Sequence, residues 1–333
     1  GHSNLVLNVA FNTDATRLAS LCDDLTIKLW DLRTYQDVMT IGGWEPFLYN
    51  VTFSKDGYRL LVGDRNSAIQ IFDASPLPDS KSSTTMELEG HIGPILGIGY
   101  SPTGDQVITS GMDGTIRLWN AYTGKKIETI LAGEKGTWSG QFDPAGQWIM
   151  AWCTQQGNFY IKVWEARSPY VEVFRKGFDR EVMGITFSHD SKYLIHGGEE
   201  QILFCCDWQG DEKIREIGKQ DGYIVSSKVS PDGNHLATTS FLGNVKLWDA
   251  NRLLETQEGR MVYDGGCTFL WVSFSPDSQH LAVGGRKGEI VILDVQSGKT
   301  EKSIINAHGG QVRSLSFSPN GKYLASCSAD YTA

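Results

Sequence analysis

One pattern recurs eight times along the 333 residues and leaves few folds open. Each copy starts on an apolar or aromatic anchor at the end of a strand-like run: Phe11, Phe53, Tyr100, Phe142, Phe187, Val229, Phe274 and Phe317. A Ser-Pro-Asp-Gly-like turn follows, then a short strand, an Asp-Gly-Thr-like hairpin turn and another strand. Seven copies close on a Trp-Asp-like pair, as at Trp30-Asp31, Trp119-Asn120, Trp164-Glu165 and Trp248-Asp249. Successive anchors are 42, 47, 42, 45, 42, 45 and 43 residues apart. A four-stranded unit of that length cannot bury both of its faces alone, so neighbouring units must stack. The repeat overrides the two domains that chain length alone suggests.

The third copy serves as the template. Ile95–Tyr100 alternates as strand a, and Ser101-Pro102-Thr103-Gly104 turns it into strand b, Gln106–Ser110. Asp113-Gly114 makes the hairpin into strand c, Thr115–Trp119, and Thr123-Gly124-Lys125 leads to strand d, Lys126–Leu131. No helix is required anywhere. On these motifs the whole chain resembles the WD-repeat β-propeller family. The resemblance implies an all-β propeller of four-stranded antiparallel blades, one domain over 1–333. Its approximate units are 1–42, 43–89, 90–132, 133–176, 177–219, 220–263, 264–307 and a partial 308–333. Thirty strands are expected: eight blades with the eighth incomplete, or seven blades and a spare hairpin. The Ser- and Pro-rich stretch 75–85 reads as a surface loop.

Charge and cysteine usage narrow the function classes. The formal net charge is −9, with no clustered basic footprint, so nucleic acid is not expected as a direct partner. The six cysteines form no Cys-x-x-Cys pair and fall mostly in strands, which suits a reducing compartment, cytoplasmic or nuclear. No apolar run reaches membrane-spanning length, and no membrane partner is expected. The histidines show no metal-ligand spacing, and no metal or cofactor is expected. Ser297-Gly298-Lys299-Thr300 looks like the end of a phosphate-binding loop. The glycine such a loop needs is Leu293 here, so the stretch reads as a turn between strands c and d.

A catalytic pattern is present and fails on its own repetition. His91, Thr109, Asp113 and Trp119 place a histidine, a hydroxyl and a carboxylate in one unit; His2, Ser20, Asp24 and Trp30 repeat them at the same offsets. His308, Ser326 and Asp330 do so again. A nucleophilic triad is needed once per site, with its hydroxyl open to substrate. The family resemblance instead implies a buried hydrogen-bond tetrad tying the d–a loop to the b–c turn. No enzyme is expected. At the tetrad His the other units carry Trp44, Gly133, Phe178, Gln220 and Gly265; at the tetrad Asp they carry Asn66, Asn158, Glu200, Leu242 and Lys287. Packing is expected to replace hydrogen bonding in those five.

The resemblance also implies three positions per blade on a top face: four and six residues before the anchor, and just before the tetrad Asp. Those offsets give Phe47, Tyr49 and Arg65, then Leu96 and Met112, then Trp138. Further on they give Glu181, Met183 and Glu199, Tyr223 and Phe241, Leu270 and Arg286, and Arg313. Aromatic residues, Met and Arg are the types enriched at interface centres. The chain is therefore expected to be a non-catalytic scaffold that binds a protein or peptide on this face, within a multi-protein complex. Two alternatives are a ligand-sensing propeller of a larger signalling ATPase, favoured by the abrupt termini, and an aromatic cage for a modified lysine. The cage would need converging rings and a carboxylate such as Glu181 or Glu199.

Overall fold

Each repeat folds as an antiparallel meander in sequence order, because its β-branched and aromatic positions alternate and its turns carry residues that tolerate positive φ. In the computed structural model, blade three pairs Ile95–Tyr100 (a), Gln106–Gly111 (b), Thr115–Asn120 (c) and Lys126–Leu131 (d) in that order. Its b–c hairpin depends on Gly114, at φ +77°, where a Cβ would stand 2.3 Å from the Gly133 carbonyl oxygen. The structure describes residues 1–42, 48–64, 67–75, 86–265 and 271–333, with the backbone alone at 48 and 49. Phe47, Arg65, Leu270, the Tyr49 side chain and most of the 75–85 stretch therefore lie outside the described residues.

Among the described residues there are seven four-stranded sheets and one two-stranded sheet, thirty strands in all. The fold is the expected all-β propeller of four-stranded blades. The two-stranded sheet pairs Val312–Phe317 with Leu324–Ser328 and corresponds to the incomplete eighth unit. The expectation of no helix needs one small correction. Ala250–Arg252 forms a single 3-10 turn, started by the Asp249 carboxylate accepting the Asn251 amide. Ser297–Thr300 is a turn as read: the Gly298 amide donates to the Asp294 carbonyl at 2.8 Å.

The chain falls into two compact units, residues 1–177 with 318–320 and residues 178–317 with 321–333. In the first, the a strands Val6–Phe11, Leu48–Phe53, Ile95–Tyr100 and Lys135–Phe142 lie side by side as the inner edge of four blades. Sheet packs on sheet through Leu21, Ile27, Leu60 and Val62, then Ile69, Ile71, Ile95 and Trp119, then Ile108, Ile116, Ile149 and Trp164. In the second unit, Ile195, Leu203, Ile224 and Trp248 fill the first such layer, and Val272, Leu281, Val283 and Leu293 another. Glycines in the b strands let neighbouring blades approach closely. A Cβ at Gly197 would stand 2.6 Å from Ile224, and one at Gly284 would stand 2.5 Å from Val312. Each glycine admits the first inner residue of the next blade.

Candidate functional site

Two full tetrads, and a third network with no Trp, close at the positions named from the sequence. In blade three His91 Nδ1 lies 3.0 Å from Asp113 Oδ2, and His91 Nε2 lies 2.8 Å from the Thr109 hydroxyl. The Trp119 indole donates to that hydroxyl at 2.9 Å. In blade one the matching distances are 3.1 Å for His2–Asp24, 2.7 Å for His2–Ser20 and 2.8 Å for Trp30–Ser20. In the eighth unit His308 meets Ser326 at 2.8 Å and Asp330 at 3.3 Å. Ser20 and Thr109 are fully buried, so these hydroxyls face protein rather than a substrate.

The electrostatics agree with a structural role. Burial alone would raise the Asp113 carboxyl, but the Thr115 hydroxyl, the Ile92 amide and His91 hold it below the usual carboxylate range. Asp330 is drawn down to about 2, its burial outweighed first by the Thr332 hydroxyl and then by the Gly309 amide. Burial lowers His2 and His91 despite their carboxylate partners. His2, Cys22 and Asp24 bring metal-ligand atom types within 4.8 Å, a grouping the sequence spacing does not announce. His2 and Asp24 already bond to each other, and burial pushes the Cys22 thiol up to about 12, so the group reads as part of the tetrad.

The expectation that packing replaces hydrogen bonding in the other five units is wrong in blade six. Gln220 takes the histidine position: its amide donates to Asn244 Oδ1 at 2.7 Å and accepts from the Thr238 hydroxyl. The Trp248 indole donates to Thr238 at 2.8 Å. Gln220, Thr238 and Trp248 keep the tetrad's separations of 18 and 10 residues, so the signal was in the sequence. The charge was replaced, not the network. Gln220→Ala strands the Thr238 and Asn244 side chains in the core and is expected to cost about 1–3 kcal/mol, read from urea or thermal unfolding. Loss of under about 0.5 kcal/mol would mean that these groups find other partners.

Polar contacts also return in blades four and seven. The buried Lys162 donates to the Ala132 carbonyl at 2.6 Å and to Gln155 at 3.2 Å. The Tyr263 hydroxyl donates to Glu289 at 2.8 Å. In blade five the expectation holds. His196 is buried between Phe178, edge-on at 4.7 Å, and Phe204, stacked at 5.3 Å, and its Nε2 has no hydrogen-bond partner.

The residues offered for the top face divide into exposed and half-buried sets. In the first unit Met112 is 46% exposed, while Leu96 and Trp138 are half-buried. Trp138 stacks on Trp152 at 4.2 Å and lies over Gly136, whose amide donates to the Met112 carbonyl at 3.0 Å. Ile92, 80% exposed, was missed; it follows the tetrad histidine and its amide is held by Asp113. Ile92 and Met112 thus stand exposed on the loops of blade three, while Trp138 belongs to the first strand of blade four.

In the second unit Tyr223 and Phe241 are exposed with ring centroids 6.3 Å apart, and the Phe241 amide donates to the Tyr223 carbonyl at 2.7 Å. Leu242 beside them is 54% exposed; the sequence reading saw it only as a lost tetrad carboxylate. Glu181, Met183, Glu199 and Arg313 are half-buried and Arg286 is exposed. Burial first, and then the Glu199 charge, raise the Glu181 carboxyl, so the two carboxylates are electrostatic neighbours. Neither has an ion pair among the described residues.

Comparison with known proteins gives the same architecture. The family model described as WD domain, G-beta repeat matches residues 1–31, 82–120, 211–249 and 299–333. The chain is 26% identical over 250 residues to the human serine-threonine kinase receptor-associated protein, covering 74% of this chain and 67% of that one. It is 24% identical over 322 residues to the nuclear distribution protein nudF of Aspergillus niger, covering 96% and 65%. Human transducin beta-like protein 2 is 23% identical, over 98% and 68%. A crystal structure of the computationally designed protein Ika8 superposes with a TM-score of 0.79 at 20% identity, over 100% of this chain and 96% of that one, a likeness of fold alone. Among the described residues no helix is long and apolar enough to cross a membrane.

Proposed function

We propose that this chain, similar to WD-repeat proteins over the segments matched, is a non-catalytic scaffold that binds a protein or peptide on the d–a loops and b–c turns of its blades. The observation that carries this reading is the exposure of large apolar side chains on those loops. Ile92 and Met112 in one unit, and Tyr223, Phe241 and Leu242 in the other, stand in water at the ends of the sheets. Hydrogen-bonded networks fix the loops beneath them. Rigid loops with exposed aromatic and Met side chains are suited to recognition, since little side-chain entropy is lost on docking. The name of one relative associates that protein with a serine-threonine kinase receptor, which supports a protein partner here. Within this reading, the neighbouring carboxylates of Glu181 and Glu199 favour a partner that presents a basic side chain to blades five and six.

The test uses two variants of the whole chain, Tyr223→Ala/Phe241→Ala and Met112→Asp, each captured from lysate beside the parent. Both are expected to melt within a few degrees of the parent, since exposed side chains away from the core change stability by roughly 0.5 kcal/mol. At least one should lose a specific partner by about tenfold or more, the scale of a truncated interface anchor. Unchanged partner sets in both variants would move recognition to another surface.

A further inference from the structure

Blades one and two carry an Arg and an Asp at the same places in strands b and c, and use them differently. Positions 42 apart are equivalent in the two blades, as the anchors Phe11 and Phe53 are. In blade one Arg17 faces Asp31 across the strands, and its guanidinium lies 3.6 Å from that carboxylate. Arg33, two residues on, holds the same carboxylate from both sides of its fork, through Nε at 3.3 Å and a terminal nitrogen at 3.0 Å. Such bidentate pairing is strong and directional.

In blade two Arg59 faces Asp73 in the same register, yet no ion pair joins them among the described residues. Arg59 turns to blade three instead. It donates to the Ala121 carbonyl at 2.9 Å and lies 4.3 Å from the centre of the Tyr122 ring. The second arginine is missing, because Ser75 stands where blade one has Arg33. Asp73 accepts the Ser75 amide at 2.8 Å, is exposed, and has no ion pair among the described residues.

A cavity of about 470 Å³ opens here between blades two and three, within the first compact unit. Asp56, Arg59, Asp73, Met86 and the rings of Tyr58 and Tyr122 line it, so two carboxylates stand against one guanidinium. Tyr58 takes the place of Thr16 in blade one, and the two tyrosines are 51% and 52% exposed. An exposed ion pair alone contributes little. A flat cation that also lies on a tyrosine face and along an apolar wall gains more. Arg59 does not exclude a second guanidinium, since blade one gathers two around one carboxylate.

We propose that this pocket binds an arginine side chain of a partner protein segment, with its guanidinium bidentate on Asp73 and its plane against Tyr58, in the place that Arg33 fills in blade one. The net charge of −9 favours approach of a basic segment. The pocket lies at the a–b turn end of the strands, opposite the d–a loops and b–c turns, and does not depend on the reading of those loops.

The test is calorimetric titration of the whole chain with acetyl-Gly-Arg-Gly-amide, beside the same peptide with citrulline, the uncharged isostere, in place of arginine. The arginine peptide should bind with a dissociation constant below roughly 10 mM, and the citrulline peptide about tenfold or more weaker. Asp73→Asn keeps an acceptor for the Ser75 amide and should weaken binding about tenfold or more. Tyr58→Ser should weaken it about two- to fivefold. Ser75→Arg rebuilds the blade-one pair within the chain and should abolish binding while Asp73 stays intact. These positions lie outside the core, so each variant should melt close to the parent; if Asp73→Asn does not fold, Ser75→Arg carries the test. Absence of binding by the arginine peptide below roughly 10 mM overturns the proposal. Equal affinity for the citrulline peptide, or parental affinity in Asp73→Asn or Ser75→Arg, overturns it as well.

Discussion

Asp113→Ala is expected to lower the stability of the chain by about 2–4 kcal/mol, well beyond the effect of an ordinary surface substitution. The carboxylate accepts the Thr115 hydroxyl at 2.7 Å, the Thr115 amide at 3.1 Å and the Ile92 amide at 3.0 Å, and it meets His91 Nδ1 at 3.0 Å. Alanine leaves the buried His91 Nδ1 with only the longer Thr115 hydroxyl contact, at 3.3 Å, and removes the carboxylate that ties the d–a loop to the b–c turn. Arg117, whose guanidinium lies 3.7 Å from the carboxylate, loses its counter-charge too. Asp113→Asn should lose less, about 1–2 kcal/mol, because one oxygen still accepts. In the eighth unit, Asp330→Ala should also cost less than Asp113→Ala: the surviving Thr332 hydroxyl lies 2.9 Å from His308 Nδ1, closer than the 3.3 Å of Thr115 to His91 in blade three. Urea unfolding of the three variants beside the parent measures the order. The catalytic-triad reading demands the opposite outcome, an Asp113→Ala chain as stable as the parent that has lost an activity.

The repeat made the fold legible because strand alternation, turn chemistry and period all point to one unit, and eight copies average out the departures of any one. The tetrads were legible for the same reason. Blade six departs from the expectation because its residue types differ from His and Asp while its offsets do not: Gln220, Thr238 and Trp248 keep the spacing and change only the charge. Asn244 could not be anticipated, since it enters from strand c and not from the expected turn position. The loop face was legible in part. Offsets found Met112, Tyr223 and Phe241, but they could not foresee that Trp138 folds back over Gly136 onto Trp152. Side-chain direction on a loop depends on which neighbour leaves room, and a missing Cβ at one position decides that for a side chain two residues on. Ile92 and Leu242 escaped because each sits where a structural role was already assigned.

Acid should destabilise this chain through His196 before its carboxylates titrate. Burial between Phe178 and Phe204 pushes the imidazole down to about 3, with loss of solvation as the cause. The ring faces would favour an imidazolium by roughly 0.5–2 kcal/mol. In the unfolded chain the same group takes up a proton near pH 6.5. Between about 6.5 and about 3 the unfolded state therefore binds a proton that the folded state refuses, and stability falls as pH falls. The limiting slope is about 1.4 kcal/mol per pH unit, and nothing is lost above pH 6.5. His2 and His91 are lowered as well and add to the same trend. Asp113 and Asp330 lose their contributions only once pH drops through the ordinary carboxylate range and below, so the window from about 6.5 to 4.5 belongs to the histidines. His196→Leu keeps an apolar side chain between the two phenylalanines and removes the proton site. Its stability should exceed that of the parent increasingly from pH 6.5 to 4.5, with parallel curves above pH 7. Parallel curves throughout would mean that folded His196 takes up its proton as readily as the unfolded chain does, and its burial would then have no bearing on acid stability.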